Sequence, residues 1–549
     1  MRRASVVGSL LAASMVFGSG VARADDLTHV PTANPKAPGV VAPNKLSVEL
    51  AEIARARGAM LLENPSSPAK YYGYDDDRPN LVPLPGSNVE ASKTEPDKNT
   101  YLVLRGQRGA DPAYAYGTHF LFQGHEAGVG GQGAITRINL DADDAHRVTL
   151  MATKDVDGAP LPTFDGSTWY PWAKRLLFTA ERGNAGGVWQ ATLDVPSAVE
   201  DVSGALGRGG YEGIQADEAG NLWIVEDVGG RTGVINSHAR QPNSFVYRFV
   251  PYDRTDLKVG GKLQVLAVKS KAHAGTILFN NASADADILS QDVLDLHTYG
   301  NVFATSWVTI HDTATDGTTP FDANALAKGK GTPFKRPENG VFRPGTRFGE
   351  FYFTETGDTS ALTEAGPRIG NGSHGGFGGI FKLSQRRASD DRGTLTLFYL
   401  GDVAHTGFDN IAFWTKDTLV VVEDAGDSLH TQRDALDSAY LLDVRTDYAN
   451  PASQPVRILA EGRDASATID SSLLGTPGFQ NDGDNELTGI HVSDGDARPD
   501  GILGAKLPHP FDGKWRVFYT AQHGDNVTYE IVPSFAVGGD DGRGEDHDR

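Results

Sequence analysis

Arg336 and Glu338 flank Pro337 in the stretch TPFKRPENGVFRPGTRFGEFYFTETGDTS, residues 332–360. Pro337 and the nearby Gly340 break any helix, so the pair sits in a loop. A guanidinium fork matches two oxygens of a phosphate. A carboxylate beside it can hold a cation that bridges the same phosphate. The same triplet is also consistent with a plain loop, so its company matters. Glu212 lies in the glycine-flanked stretch GRGGYEG, residues 207–213, where little backbone bulk blocks a ligand. Asp165, Asp409 and Glu486 stand in comparable turn-rich surroundings just before expected strands. The chain has no G-x-S-x-G, no H-E-x-x-H, no P-loop and no dinucleotide fingerprint.

The elements that carry these residues read as β-strands. Six segments share one design: an apolar strand, an acidic or polar pair at its end, and usually a glycine nearby. They are FLFQGHE (120–126), LLFTAE (176–181), NLWIVED (221–227), FYFTE (351–355), TLVVVED (418–424) and VFYTAQH (517–523). NVFATSWVTIHD (301–312) is a candidate further copy. A repeated unit that cannot bury its faces alone indicates a β-propeller. The expected fold is all-β, a six-bladed β-propeller over residues 101–536 with an N-terminal extension. A β-sandwich with similar strands is the competing architecture. Inner strands of a propeller converge on a channel, so acids repeated at one strand end converge too. Their mutual repulsion calls for cations. Glu126, Glu226, Asp227, Glu355 and Glu423 are candidate metal ligands on that ground.

Composition supports this. The formal charge is −21, from 50 basic and 71 acidic residues, which disfavours nucleic acid and anionic membrane surfaces and suits cation binding. Residues 1–24 read as an export signal: Arg2 and Arg3, then a short apolar run from Val6 to Phe17, then the small-x-small triplet Ala22, Arg23, Ala24. The apolar run is short for a membrane anchor, the alternative reading. The expected location is therefore periplasmic or extracellular. The route, general secretion or twin-arginine, stays open. Removing Arg2, Arg3 and Arg23 takes the formal charge from −21 to −24. An exported chain with no Cys must be stable without disulfides. Residues 25–100 read as an arm that wraps the main domain, with one helix over 45–63, where Leu46, Leu50, Ile53, Leu61 and Leu62 follow helical spacing. The glycine-rich, charged tail, 537–549, is expected to be disordered. A monomer is expected.

Taken in order, these segments resemble the PhoX-type alkaline phosphatases, exported bacterial phosphomonoesterases built as six-bladed propellers with iron and calcium at one end of the channel. Gly124, His125 and Glu126 match the family's N-H-E strand end. Asp165 and Gly166, with Pro171, Trp172 and Glu181, match its N-C-x-G-G, P-W and C-E-E pieces. LGRGGYE at 206–212 matches G-R-F-x-H-E; Arg336 to Glu338 match R-P-E; Thr354 and Glu355 match T-E. Asp409 and Asn410, with Glu423 and Asp424, follow in order, and ELTG at 486–489 with Gln522, His523 and Gly524 matches E-x-T-G and Q-H-P-G. The resemblance implies that Glu212 and Glu338 are iron ligands and that Arg336 holds the phosphate of a small phosphate ester; Arg336, Glu338 and Glu212 are then the catalytic set. Three departures matter, one of them that the family's Q-H-P-G is here Gln522, His523, Gly524 and Asp525. Asp165 stands where the family has its cysteine ligand, and Tyr211 stands where it has a histidine. An oxygen ligand at Asp165 hardens the site toward calcium and away from iron. The alternative is a calcium-binding propeller without phosphatase activity, serving as a ligand-binding module or as a different esterase or lactonase.

Overall fold

The computed structural model describes residues 27–36, 42–74, 93–127, 132–364, 372–462, 486–523 and 526–537. The expected export signal, and all but the first residue of the expected tail, lie outside the described residues.

Short strands joined by tight turns form antiparallel meanders. Thr100–Val103, His119–Gly124, Ile135–Asn139 and Val148–Ala152 make one four-stranded sheet. Ser167–Tyr170, Arg175–Ala180, Gly187–Ala191 and Val199–Asp201 make the next. A nine-stranded sheet holds two meanders. The first is Tyr211–Ala216, Leu222–Glu226, Val246–Pro251 and Gly261–Val268. The second is Gly340–Phe342, Glu350–Glu355, Gly379–Ser384 and Arg392–Leu400. The long strand Phe303–Asp312 joins their outer edges. This strand was the candidate extra copy; it is a bridge between sheets and carries no meander of its own. Phe408–Phe413, Thr418–Glu423, Ser438–Asp443 and Val456–Ala460 follow, and then Glu486–Ser493, Arg516–Gln522 and Val527–Pro533.

The first strands of successive meanders touch one another in chain order, and Glu486–Ser493 touches Thr100–Val103. The fold is therefore all-β, with its sheets arranged as in a propeller. Strands buried on both faces read as unbroken apolar runs: Thr418–Glu423 is buried along its whole length. Aromatic residues fill the wedge between the two meanders of the nine-stranded sheet. The Trp223 ring packs against Trp307, Phe342 and Phe351 at centroid distances of 4.9, 5.0 and 4.9 Å.

The expected helix over 45–63 is absent. Lys45–Leu46, Leu50–Ala56 and Leu61–Ser66 are strands. Helical spacing lost to an open sheet edge. The sheet that ends with Val527–Pro533 has only three strands from its own meander, and a row of unpaired N–H and C=O groups along its edge is costly. Leu50–Ala56 fills that edge, with Leu50 opposite Pro533 and Ile53 opposite Glu530, and the Arg55 Nε bonds Glu530 across the strands at 2.6 Å. Lys45–Leu46 extends the preceding sheet by pairing with Val456–Ala460. The N-terminal segment thus builds two sheets through hydrogen bonds. No helix among the described residues is long and apolar enough to cross a membrane.

Candidate active site

One end of the channel gathers carboxylates. Three groups, Asp97–Glu126–Asp165, Asp165–Glu181–Glu212 and Glu212–Glu338–Asp409, each bring one oxygen per residue within 4.8 Å of one another. Asp165 and Glu212 belong to two groups each, so the seven acids form one continuous belt.

Local backbone features aim these side chains. Three first strands carry a register shift: between Tyr211 and Ile214, between Phe408 and Ile411, and between Thr488 and His491. Such bulges bend a strand and re-aim its side chains; the first two enclose Glu212 and Asp409, the third Gly489 and Ile490. Gly213 is required by close approach. Its N–H donates to the Glu338 carbonyl at 2.8 Å, and a Cβ there would meet the Asn339 Cα at 2.8 Å. The Thr179 hydroxyl donates to the Glu212 carbonyl, tying a third meander to the same point.

Arg336 has φ +57°, a left-handed conformation that non-glycine residues rarely hold without support. The support is local. Thr356 N–H donates to the Arg336 carbonyl at 2.9 Å and Gly357 N–H to the Lys335 carbonyl at 3.2 Å. The Lys335 N–H donates to Glu355 Oε1 at 2.8 Å. The buried Lys335 ammonium meets Asp358 at 2.9 Å. The guanidinium is oriented by Asp227, which accepts from Nε at 2.8 Å and lies 2.7 Å from Nη2. Glu338 Oε1 is 3.5 Å from Nη2 and also accepts from the Thr356 hydroxyl. No described residue bonds Nη1, which leaves that edge of the fork for a ligand.

Burial first, and then the negative charge of neighbours, pushes these acids up. Asp97 and Glu126 rise to about 7; Asp165, Glu212, Glu338 and Asp409 lie well above the ordinary carboxylate range. Asp165 Oδ1 is buried with no hydrogen-bond partner. Lys98 is buried inside the belt; its ammonium donates to Asn410 at 2.7 Å and Asn339 at 3.4 Å. Burial lowers it, against the opposing pull of Asp409 and Asp97. At the rim, His523 lies between Glu95 (3.0 Å) and Glu486 (2.9 Å). Burial disfavours its charged form, but the two carboxylates outweigh that and hold it well above its ordinary value.

Of the residues named from the sequence, Asp165, Glu212, Glu338 and Glu126 come together in the belt, and Asp227 joins it through Arg336. Glu226, Glu355 and Glu423 do not. Glu226 points to the other face of its strand, accepting from Tyr247 Oη at 2.9 Å, Asn324 Nδ2 at 3.0 Å and Phe245 N–H at 3.2 Å. Glu355 is bonded to His297 at 3.0 Å. Glu423 is bonded to Arg433 through both oxygens at 3.2 Å. Asp97, Lys98, Glu181 and Asp409 were not among the named ligands. Oxygens without a thiolate are what a hard cation takes, and the orphaned Asp165 oxygen inside an all-oxygen belt fits calcium.

Residues 229–439 match the family profile described as Alkaline phosphatase PhoX. That span contains Arg336, Glu338 and Asp409 and begins after Asp97, Glu126, Asp165, Glu181, Glu212 and Asp227. Among solved structures, Pseudomonas fluorescens PhoX in complex with vanadate, a transition state analogue, is similar at 11% identity and a TM-score of 0.52, covering 92% of this chain and 98% of that one. A Thermus thermophilus protein described as a putative oxidoreductase (glucose dehydrogenase) follows at 11% identity and a TM-score of 0.33, covering 80% and 97%, which is too distant to carry an argument. No curated protein matches the chain in sequence. The resemblance to the PhoX alkaline phosphatases is thus found in sequence over residues 229–439 and in overall fold.

Proposed function

We propose that this chain is an exported, calcium-dependent phosphomonoester hydrolase of the PhoX kind, a six-bladed propeller with its site at the acidic end of the channel. The observation that carries the reading is the Arg336 fork, held by Asp227 directly beside Glu338 of the acid belt. A guanidinium fixed in this way presents an edge to an oxyanion without first having to be ordered. An oxyanion held there would lie next to the carboxylates proposed to hold cations. Vanadate, bound by the Pseudomonas fluorescens protein, is an oxyanion of the kind Arg336 would hold.

Asp97, Glu126, Asp165, Glu181, Glu212, Glu338 and Asp409 would hold the cations. Bound cations supply charge neutralisation on the phosphoryl oxygens. Asp227 keeps the guanidinium turned toward the belt, and the Lys335, Glu355 and Thr356 contacts keep its backbone in place. Lys98 adds an amine among the acids, its charged form disfavoured by burial and favoured by Asp409 and Asp97. The first test pairs metal analysis of the purified protein with hydrolysis of a chromogenic phosphate ester. Arg336→Lys keeps the charge but loses the fork, so hydrolysis should fall about tenfold or more while bound calcium stays constant. Wild-type hydrolysis by that variant, or no hydrolysis by the calcium-loaded wild type, would sink the reading.

A further inference from the structure

A second cavity opens beside the Arg336 loop, with a volume of about 370 Å³. Its walls are the residues that follow three site-forming strands. Ser237, His238 and Arg240 come from the segment after Asp227; Thr359 and Ser360 follow Glu355; Ala425, Gly426 and Ser428 follow Asp424. The cavity is joined to the site through one buried ion pair and flanked by one exposed side chain. Asp358 in its wall is the partner of Lys335, next to Arg336. Arg240 Nη1 lies 3.1 Å from where a Cβ on Gly229 would be, two residues from the Asp227 that orients Arg336.

The lining differs in sign from the belt. Asp358 is the one carboxylate among its described residues, and it is closed off by Lys335 at 2.9 Å and by the Thr363 hydroxyl. Gln432 is engaged by the Ala361 N–H at 2.6 Å. The Arg240 guanidinium, in contrast, pairs with no described residue, in a chain where acids outnumber bases 71 to 50. Arginines elsewhere near the site, such as Arg336 and Arg433, are each held by carboxylates. Arg240 is exposed, and as the arginine that lines this cavity beside serine and threonine hydroxyls it is open to an anionic ligand.

We infer that this cavity binds the leaving group, and that Arg240 is a specificity residue which selects phosphomonoesters whose alcohol carries a second anionic group, a carboxylate or a phosphate. The inference rests on the phosphatase reading above and adds the substrate class. The hydroxyls of Ser237, Ser360 and Ser428 suit a hydroxylated carbon chain between the two anions.

A matched pair of esters tests it. 3-Phosphoglycerate and glycerol 3-phosphate differ by a carboxylate against a hydroxymethyl group. The calcium-loaded wild type should prefer 3-phosphoglycerate in kcat/KM by about tenfold, the scale of one charge-assisted contact at an open site. R240Q should bring the ratio near one, and Arg240→Lys should restore part of it. Fructose 1,6-bisphosphate against fructose 6-phosphate, run in parallel, tells a phosphate-selecting cavity from a carboxylate-selecting one. Equal losses on both members of each pair, or an unchanged ratio, would overturn the inference. If the wild type hydrolyses none of these esters, the phosphatase reading fails separately. Calorimetric binding of 3-phosphoglycerate to wild type and R240Q then decides the cavity's role: tighter binding by wild type supports it, and equal affinity refutes it.

Discussion

Exhaustive chelation is the perturbation that probes the acid belt most directly. In the cation-free protein, burial and neighbouring charge raise Asp97 and Glu126 to about 7 and hold Asp165, Glu212, Glu338 and Asp409 well above the usual range. A carboxylate raised in the folded state keeps a proton that the unfolded chain releases. Its contribution is full below about pH 4 and is lost as pH climbs through about 7, so the cation-free protein should lose stability with rising pH across that window. For Asp97 alone, a change from 3.8 to about 7 corresponds to about 4 kcal/mol against the charged form. Calcium should remove that slope by compensating the charges. At a hundredfold excess over Kd, one site adds about 2.7 kcal/mol. Unfolding entropy of about 2.1 cal/mol/K per residue gives roughly 1.2 kcal/mol/K for 549 residues, so each site should raise Tm by about 2 °C. Cations in all three acid groups would then be worth about 6–7 °C. Differential scanning calorimetry at pH 5 and pH 8, with calcium, with magnesium and after chelation, reads both effects. A Tm at pH 8 within about 1 °C of the calcium-loaded value after chelation, with no loss between pH 5 and 8, would refute the belt as a cation site.

Further outcomes follow from the same geometry. Glu338→Gln should lose bound calcium and hydrolysis together, whereas Glu226→Gln, whose carboxylate is taken up by Tyr247 and Asn324, should keep its calcium; atomic spectroscopy on both variants reads the difference. Asp358→Asn leaves the buried Lys335 charge uncompensated and should cost about 3–5 kcal/mol in denaturant unfolding; as the Arg336 backbone loosens, kcat/KM should fall further than bound calcium does. Asp165→Cys places a soft ligand in the belt, so iron content should rise when the protein is produced with iron present; an unchanged iron content would mean that the absent thiolate is not what separates this chain from iron-binding relatives.

The strand repeats were legible because each strand is buried on both faces and reads as an unbroken apolar run ending in a polar pair. The N-terminal strands were not. Leu46, Leu50 and Ile53 satisfy a helical period, and nothing local in Leu50–Ala56 says that it will lie along Val527–Pro533. That pairing joins residues nearly five hundred positions apart and is decided by an edge that exists only once the last sheet has formed. The same holds for Phe303–Asp312. It has the look of a repeat, but it bridges the outer strands of two meanders.

The site was legible in kind and partly misplaced in detail, and the strand register explains both. In each meander the first and second strands run antiparallel, so Tyr211 pairs with Glu226, Phe408 with Glu423 and Glu486 with Gln522. The start of the first strand and the end of the second therefore lie at the same end of the sheet. The first strand is nearer the channel, so acids at its start meet across the axis. Acids at the end of the second strand divide: Glu126 and Glu181 reach the belt, whereas Glu226 is taken up by Tyr247, Glu355 by His297 at the end of the helix Gln291–Leu296, and Glu423 by Arg433 of the helix Gly426–Arg433. One residue further along, side-chain alternation reverses the direction, which is why Asp227 reaches Arg336 while Glu226 does not. The more useful pattern is an acid just before or inside the first strand of a meander, which five of the seven belt acids follow. Asp97, Asp165, Glu212, Glu338 and Asp409 all obey it, standing beside strands that begin at Thr100, Ser167, Tyr211, Gly340 and Phe408.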